Sequence, residues 1–132
     1  METVRRVAAV ADTLFPPNSI QDAQGHTRTL RASEARPERY LQHRAAWEPA
    51  FGEAVLGALR ALSEASRQRH GQDFEPLSAE QRVALLEHFQ KESRASFEVL
   101  HTAIATGVFA DPEYGGNTER VGWYYSRFLE VG

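Results

Sequence analysis

Apolar residues recur at helical spacing through most of the chain. Val4, Val7, Ala8, Ala11, Leu14 and Phe15 predict an amphipathic helix over residues 2–15. Pro16-Pro17 stops it. Residues 16–30 are polar, with Asn18, Asp22, Gly25 and His26 among them, and predict a long loop. A short helix is expected to start near Ser33 or Pro37 and to carry Tyr40 and Leu41. Trp47, Phe51, Val55, Ala58, Leu59 and Leu62 mark the apolar face of the next helix, expected over residues 46–69, with Gly71 as its C-terminal stop. Phe74 and Leu77 lie in the connection that follows and are expected to tuck into the core. Ser78-Ala79-Glu80-Gln81 matches a capping box, in which Gln81 reaches back toward Ser78. The helix it opens carries Val83, Leu85, Leu86 and Phe89. Phe97, Leu100, Ile104 and Val108 define a further face, with Gly107 near its end. No segment shows period-two alternation with β-branched enrichment, so no sheet is expected. The pattern predicts an all-α, single small domain over residues 1–132, with about five helices and a Gly-rich C-terminal loop.

The pattern changes after Phe109. Asp111-Pro112-Glu113-Tyr114-Gly115-Gly116-Asn117 is too rich in turn-formers to be the interior of a helix or strand. Pro112 fixes its own φ and biases Asp111 toward extended geometry. Gly115-Gly116 permits positive φ or a close backbone approach, and Asn117 can cap a following helix. Val121, Tyr124, Tyr125 and Phe128 then suggest a short final helix or an irregular tail. A rigid loop between apolar helical patterns is expected where something must meet it.

Composition narrows the class. A hydrophobic fraction of 42% and a charged fraction of 25% are ordinary for a globular domain. The formal net charge of -3, with Arg interleaved among Asp and Glu, gives no nucleic-acid footprint. The chain contains no cysteine, which excludes a disulfide scaffold, a thiolate zinc site and a cysteine nucleophile. No apolar run approaches the roughly 20 residues of a membrane span. Arg5-Arg6 followed by Val7-Ala8-Ala9-Val10-Ala11 superficially resembles an export signal. The run meets Asp12 at once and is read as part of the first helix.

Candidate chemistry is sparse. Glu98-Val99-Leu100-His101 places a carboxylate and an imidazole on one helical face. Di-iron bundles use paired copies of such a unit with further carboxylates, and this chain has a single copy, so a solvated polar face is the plainer reading. No Gly-x-Ser-x-Gly elbow is present, and no Lys-Ser or Lys-Thr follows Gly115-Gly116 to make a phosphate loop. Asp111 and Glu113 have the chemistry of an acid–base pair, but carboxylates in tight loops more commonly cap backbone amides. The aromatic group Tyr114, Trp123, Tyr124 and Tyr125, with Arg120 and Arg127 nearby, has the composition of an interface core. The competing role for Trp123 is to close the domain's own core.

These residues carry a resemblance. Phe109-Ala110-Asp111-Pro112-Glu113-Tyr114-Gly115-Gly116-Asn117 followed by Val121-Gly122-Trp123 resembles the C-terminal signature of the gluconate 2-dehydrogenase subunit 3 family. Ala8-Ala9-Val10-Ala11-Asp12-Thr13-Leu14-Phe15-Pro16 is similar to that family's opening, and Phe74-Glu75-Pro76-Leu77-Ser78 with Gln81 and Leu85-Leu86 is similar to its middle. The resemblance implies a small, non-catalytic accessory subunit with no cofactor of its own. The implied partner is a large FAD-containing oxidoreductase of the glucose-methanol-choline type acting on sugars, glycosides or related alcohols. A cytochrome c subunit often completes such complexes. The implied role is to support folding, stability and often export of the large subunit.

On this basis Asp111, Pro112, Glu113, Tyr114, Gly115, Gly116, Asn117, Trp123, Tyr124 and Tyr125 are the expected partner contacts. The loop over residues 16–30 is a second candidate contact, ordered on binding. As the chain stands a cytoplasmic complex is expected, and a periplasmic one if a leader has been removed or the partner is exported. The rival functions are a stand-alone small helical enzyme using Glu98, His101, Asp111 or Glu113, and a generic helical adaptor with no flavoprotein partner.

Overall fold

Helix boundaries follow the capping chemistry. The computed structural model describes residues 2–21 and 25–109. Within them α1 (Glu2–Leu14) is followed by a hairpin of β1 (Asn18–Gln21) and β2 (Thr27–Leu30), a 3-10 turn (Ala32–Ala35), α2 (Pro37–Trp47), α3 (Pro49–His70), α4 (Ala79–Glu92) and α5 (Arg94–Phe109). The expected all-α architecture is observed. The expected final element beyond Asn117 lies outside the described residues.

Several local expectations hold for the reasons given. Gly71 adopts φ 71° at the end of α3, and its N–H donates to Arg67 O at 2.8 Å. The left-handed conformation suits glycine, which has no Cβ to clash with the preceding turn. The α4 capping box is complete. Gln81 N donates to Ser78 Oγ at 3.2 Å and Ser78 N donates to Gln81 Oε1 at 3.0 Å. Phe74 and Leu77 are buried although they lie between helices.

Two expectations need correction. Residues 18–21 and 27–30 were expected in a loop and instead pair as antiparallel strands in the register Asn18↔Leu30 to Gln21↔Thr27. Four-residue strands are too short to show alternation. Gly25 takes φ 83° ahead of β2, and Leu30 at the hairpin's base is fully buried. The loop expected to order only on binding is therefore already paired in this chain alone at those residues.

The second correction is the helix expected over residues 46–69. The chain breaks at Glu48, which leaves helical geometry at φ −134°, ψ 76° because Pro49 follows it. Pro49 opens α3 at its first turn, where its missing N–H is no loss. Trp47 thus ends α2 rather than joining the apolar face of α3, and is 66% exposed. Val83, expected on the apolar face of α4, is also exposed, at 45%.

The core is organised around α5, which packs on α1, α2, α3 and α4. Leu100, Ile104 and Val108 from α5 meet Leu59 and Leu62 of α3, Leu85 and Phe89 of α4, and Val7 and Val10 of α1 in one buried cluster. At Gly107 the two backbones of α5 and α2 approach so closely that an added Cβ would lie 2.9 Å from both Pro37 Cβ and Pro37 O.

An ionic clasp ties α1 to the connection between α3 and α4. Arg6 Nε donates to Glu75 Oε1 at 2.7 Å, and its Nη2 lies 3.4 Å from Asp73 Oδ1. Arg67 Nη2 donates to Asp73 Oδ2 at 2.9 Å. Burial pushes the Asp73 carboxyl up, but hydrogen bonding by Ser63 and Arg67 and the charges of Arg6 and Arg67 outweigh it, so the net shift is down. The Ser63 contact is the looser one, since Ser63 Oγ meets no acceptor at full hydrogen-bond geometry.

Candidate docking surface

The packing of α2 between α1 and α3 leaves a gap on one side. Small residues at Ala45 and Gly52 bring α2 and α3 together at their junction. A Cβ at Gly52 would sit 2.8 Å from Ala45 Cβ. Away from that junction the three helices diverge around a groove of about 220 Å³. Its walls are apolar: Val4 and Val7 from α1, Leu41 from α2, and Phe51, Val55 and Leu56 from α3. On α2 the lining residues Glu38, Leu41, Gln42 and Ala45 follow one helical face. Leu56 remains 41% exposed on the α3 wall.

Phe51 joins this groove to a second feature. Its ring meets Tyr40 edge-on at 6.2 Å between centroids, and the Arg44 guanidinium lies 3.9 Å above it. Arg44 Nε donates to Glu48 Oε2 at 2.7 Å, and Nη1 donates to Tyr40 Oη at 3.0 Å. The Glu48 bond first, and the Tyr40 bond second, raise the Arg44 pKa above its ordinary value against the effect of burial. Arg44 is therefore a fixed cation that braces the α2–α3 junction. Trp47 stands beside it in sequence with most of its surface in solvent. Exposed Trp beside ordered Tyr and Arg is the composition that concentrates binding energy in interfaces.

The residues expected from sequence fall elsewhere. Asp111, Pro112, Glu113, Tyr114, Gly115, Gly116, Asn117, Trp123, Tyr124 and Tyr125 lie outside the described residues. Glu98 and His101 are both exposed on α5. Glu98 Oε1 accepts from Arg94 Nε at 3.1 Å, and the His101 ring stacks on Phe97 at 5.8 Å. Each is engaged along the helix surface, as a solvated face would have them. Among the described residues, no group of three or more His, Asp or Glu side chains is arranged to hold a metal ion. No helix among them is long and apolar enough to cross a membrane.

Sequence reasoning missed Trp47, Leu56, Arg44 and Glu38 as site residues. Pro49 was the available signal for Trp47, because it ends the helix before the apolar face of α3 begins. The groove itself has no sequence signal, since it exists only where three helices diverge.

The fold and site thus define a small helical domain with an open apolar groove and an aromatic–cationic corner. The family comparison makes this specific. The model of the family described as "Gluconate 2-dehydrogenase subunit 3" matches residues 2–128, and the chain belongs to that family. Comparison with curated proteins and with solved structures gives no match. Membership is consistent with an accessory subunit of a dehydrogenase complex.

Proposed function

We propose that this chain is the non-catalytic small subunit of a flavin-dependent dehydrogenase complex whose large, FAD-containing subunit is of the glucose-methanol-choline type. The complex acts on sugars, glycosides or related alcohols, and the small subunit supports folding and stability of the catalytic one. It carries no cofactor itself. A cytochrome c subunit is the natural electron acceptor of such an assembly. The chain resides wherever its large partner resides.

The observation that carries this reading is the α1–α2–α3 groove, continuous through Phe51 with the Arg44–Trp47 corner, in a chain of this family. A subunit that binds only the folded partner raises that partner's stability by mass action. An obligate contact of this kind buries roughly 2,000 Å² or more in total. The groove and corner would contribute one part of it, and the loop 111–117 with Trp123, Tyr124 and Tyr125 another.

Co-expression with an FAD-containing subunit of the glucose-methanol-choline type from the same genome tests the reading. The expected result is a co-purifying complex in which the flavoprotein is soluble and FAD-loaded, with yield and loading lost when this chain is omitted. A flavoprotein that is soluble, loaded and fully active alone would sink the proposal. Turnover of a sugar by this chain alone would replace it with the small-enzyme reading.

A further inference from the structure

Glu38 does not fit the groove it lines. It occupies the first turn of α2, where the helix dipole tolerates a negative charge. Yet its Oε2 is buried and meets no hydrogen-bond partner. The described residues that line the groove include no Lys, Arg or His. Burying a carboxylate oxygen without a donor is unfavourable, and a protein gains nothing from it in isolation. The arrangement becomes favourable when a donor arrives with the molecule that fills the groove.

On the accessory-subunit reading above, on which this step rests, we infer that the groove takes an amphipathic segment of the dehydrogenase's large subunit carrying one Lys or Arg. Apolar side chains of that segment enter between Val4 of α1 and Leu56 of α3, and its cation pairs with the Glu38 carboxylate. The groove matches the mode in which an amphipathic helix lays its apolar face between helices of a receptor. The charge pair would fix the register of the segment, because only one alignment brings the cation to Glu38.

The absence of cysteine from the chain makes a direct test available. Gln42 lies on the exposed rim of the groove, so Gln42→Cys supplies a single thiol whose labelling rate reports groove access. The full-length variant is labelled alone and in complex with the co-purified flavoprotein. Fast labelling alone, slowed at least about tenfold in the complex, is the expected result. Glu38→Lys should weaken the complex at least about tenfold and Glu38→Gln by less, both measured at a temperature where melts show the free variants fully folded. If the wild-type complex forms but labelling is unprotected and Glu38→Lys binds normally, the groove inference fails while the accessory role stands. Slow labelling of the free chain also overturns it. Independence of concentration would then identify residues 110–132 as the occupant, and dependence on concentration a second copy of the chain. If the wild-type chain forms no complex at all, the accessory reading itself fails and takes this inference with it.

Discussion

One added methyl group should act oppositely at two helical glycines. Gly57 lies in the middle of α3 with nothing within 4 Å of the position a Cβ would take. Gly57→Ala should therefore stabilise the free chain by roughly 0.5–1 kcal/mol, the helix-propensity difference. Gly107 has the same propensity to gain, but its Cβ would meet the Pro37 carbonyl and Cα at 2.9 and 3.0 Å. These are backbone atoms of the first turn of α2 and cannot swing aside as a side chain would. Overpacking of this kind costs about 1–3 kcal/mol, so Gly107→Ala should be net destabilising. Thermal melts of the two variants should move in opposite directions, and a rise for Gly107→Ala would show that α2 and α5 can separate without loss. Asp73 makes a prediction of a different sort. Its folded pKa is depressed, so the stability it contributes is present above the ordinary carboxylate range and lost as pH falls through the folded value. Asp73→Asn should cost no more than about 1 kcal/mol at pH 7, the upper range for partly exposed pairs. The gap from wild type should narrow as pH falls below about 4. A gap that stays constant from pH 7 into acid would remove the ionic clasp as its cause.

The Ser78 and Gln81 capping box was readable from sequence because its chemistry is local: two side chains meet two backbone amides three residues apart. Ser78→Ala removes the side-chain acceptor for Gln81 N and should cost about 1 kcal/mol, with helicity otherwise retained. An unchanged denaturation midpoint would mean that α4 is held by packing alone. Gly71, Phe74 and Leu77 were readable on similar grounds, since a left-handed cap and apolar residues in a polar connection have few other uses. The hairpin was not. Its four-residue strands carry no periodic signal, and Leu30 becomes informative only once it is seen buried in the core cluster. The α2–α3 junction was misplaced because apolar spacing runs from Trp47 through Phe51 and Val55 as if one helix carried it. Pro49 breaks that continuity, and the spacing across the break is coincidental. The groove lay beyond sequence reasoning altogether, because its walls come from α1, α2 and α3 and its depth depends on how they diverge.

The division between what holds the domain together and what it offers to a partner can be tested with two truncations. Leu62 is fully buried at the centre of the cluster shared by α3 and α5, and its side chain has no exposed surface. Leu62→Ala should destabilise the free chain by about 2–5 kcal/mol through lost burial and a residual cavity. It should weaken any complex only as far as it unfolds the subunit. Trp47 presents the reverse case. With two thirds of its surface in solvent, it has little burial to lose, and Trp47→Ala should shift the free chain's stability by no more than about 0.5 kcal/mol. If the Arg44–Phe51–Trp47 corner is part of the docking face, the same change should weaken the complex with the flavoprotein by about 2 kcal/mol or more, roughly thirtyfold in Kd. Titration of the flavoprotein with each variant, alongside a melt of the subunit alone, separates the two effects. Equal binding by Trp47→Ala and wild type would exclude the corner from the interface. It would leave the groove as the remaining described contact, to be judged by the Glu38 variants.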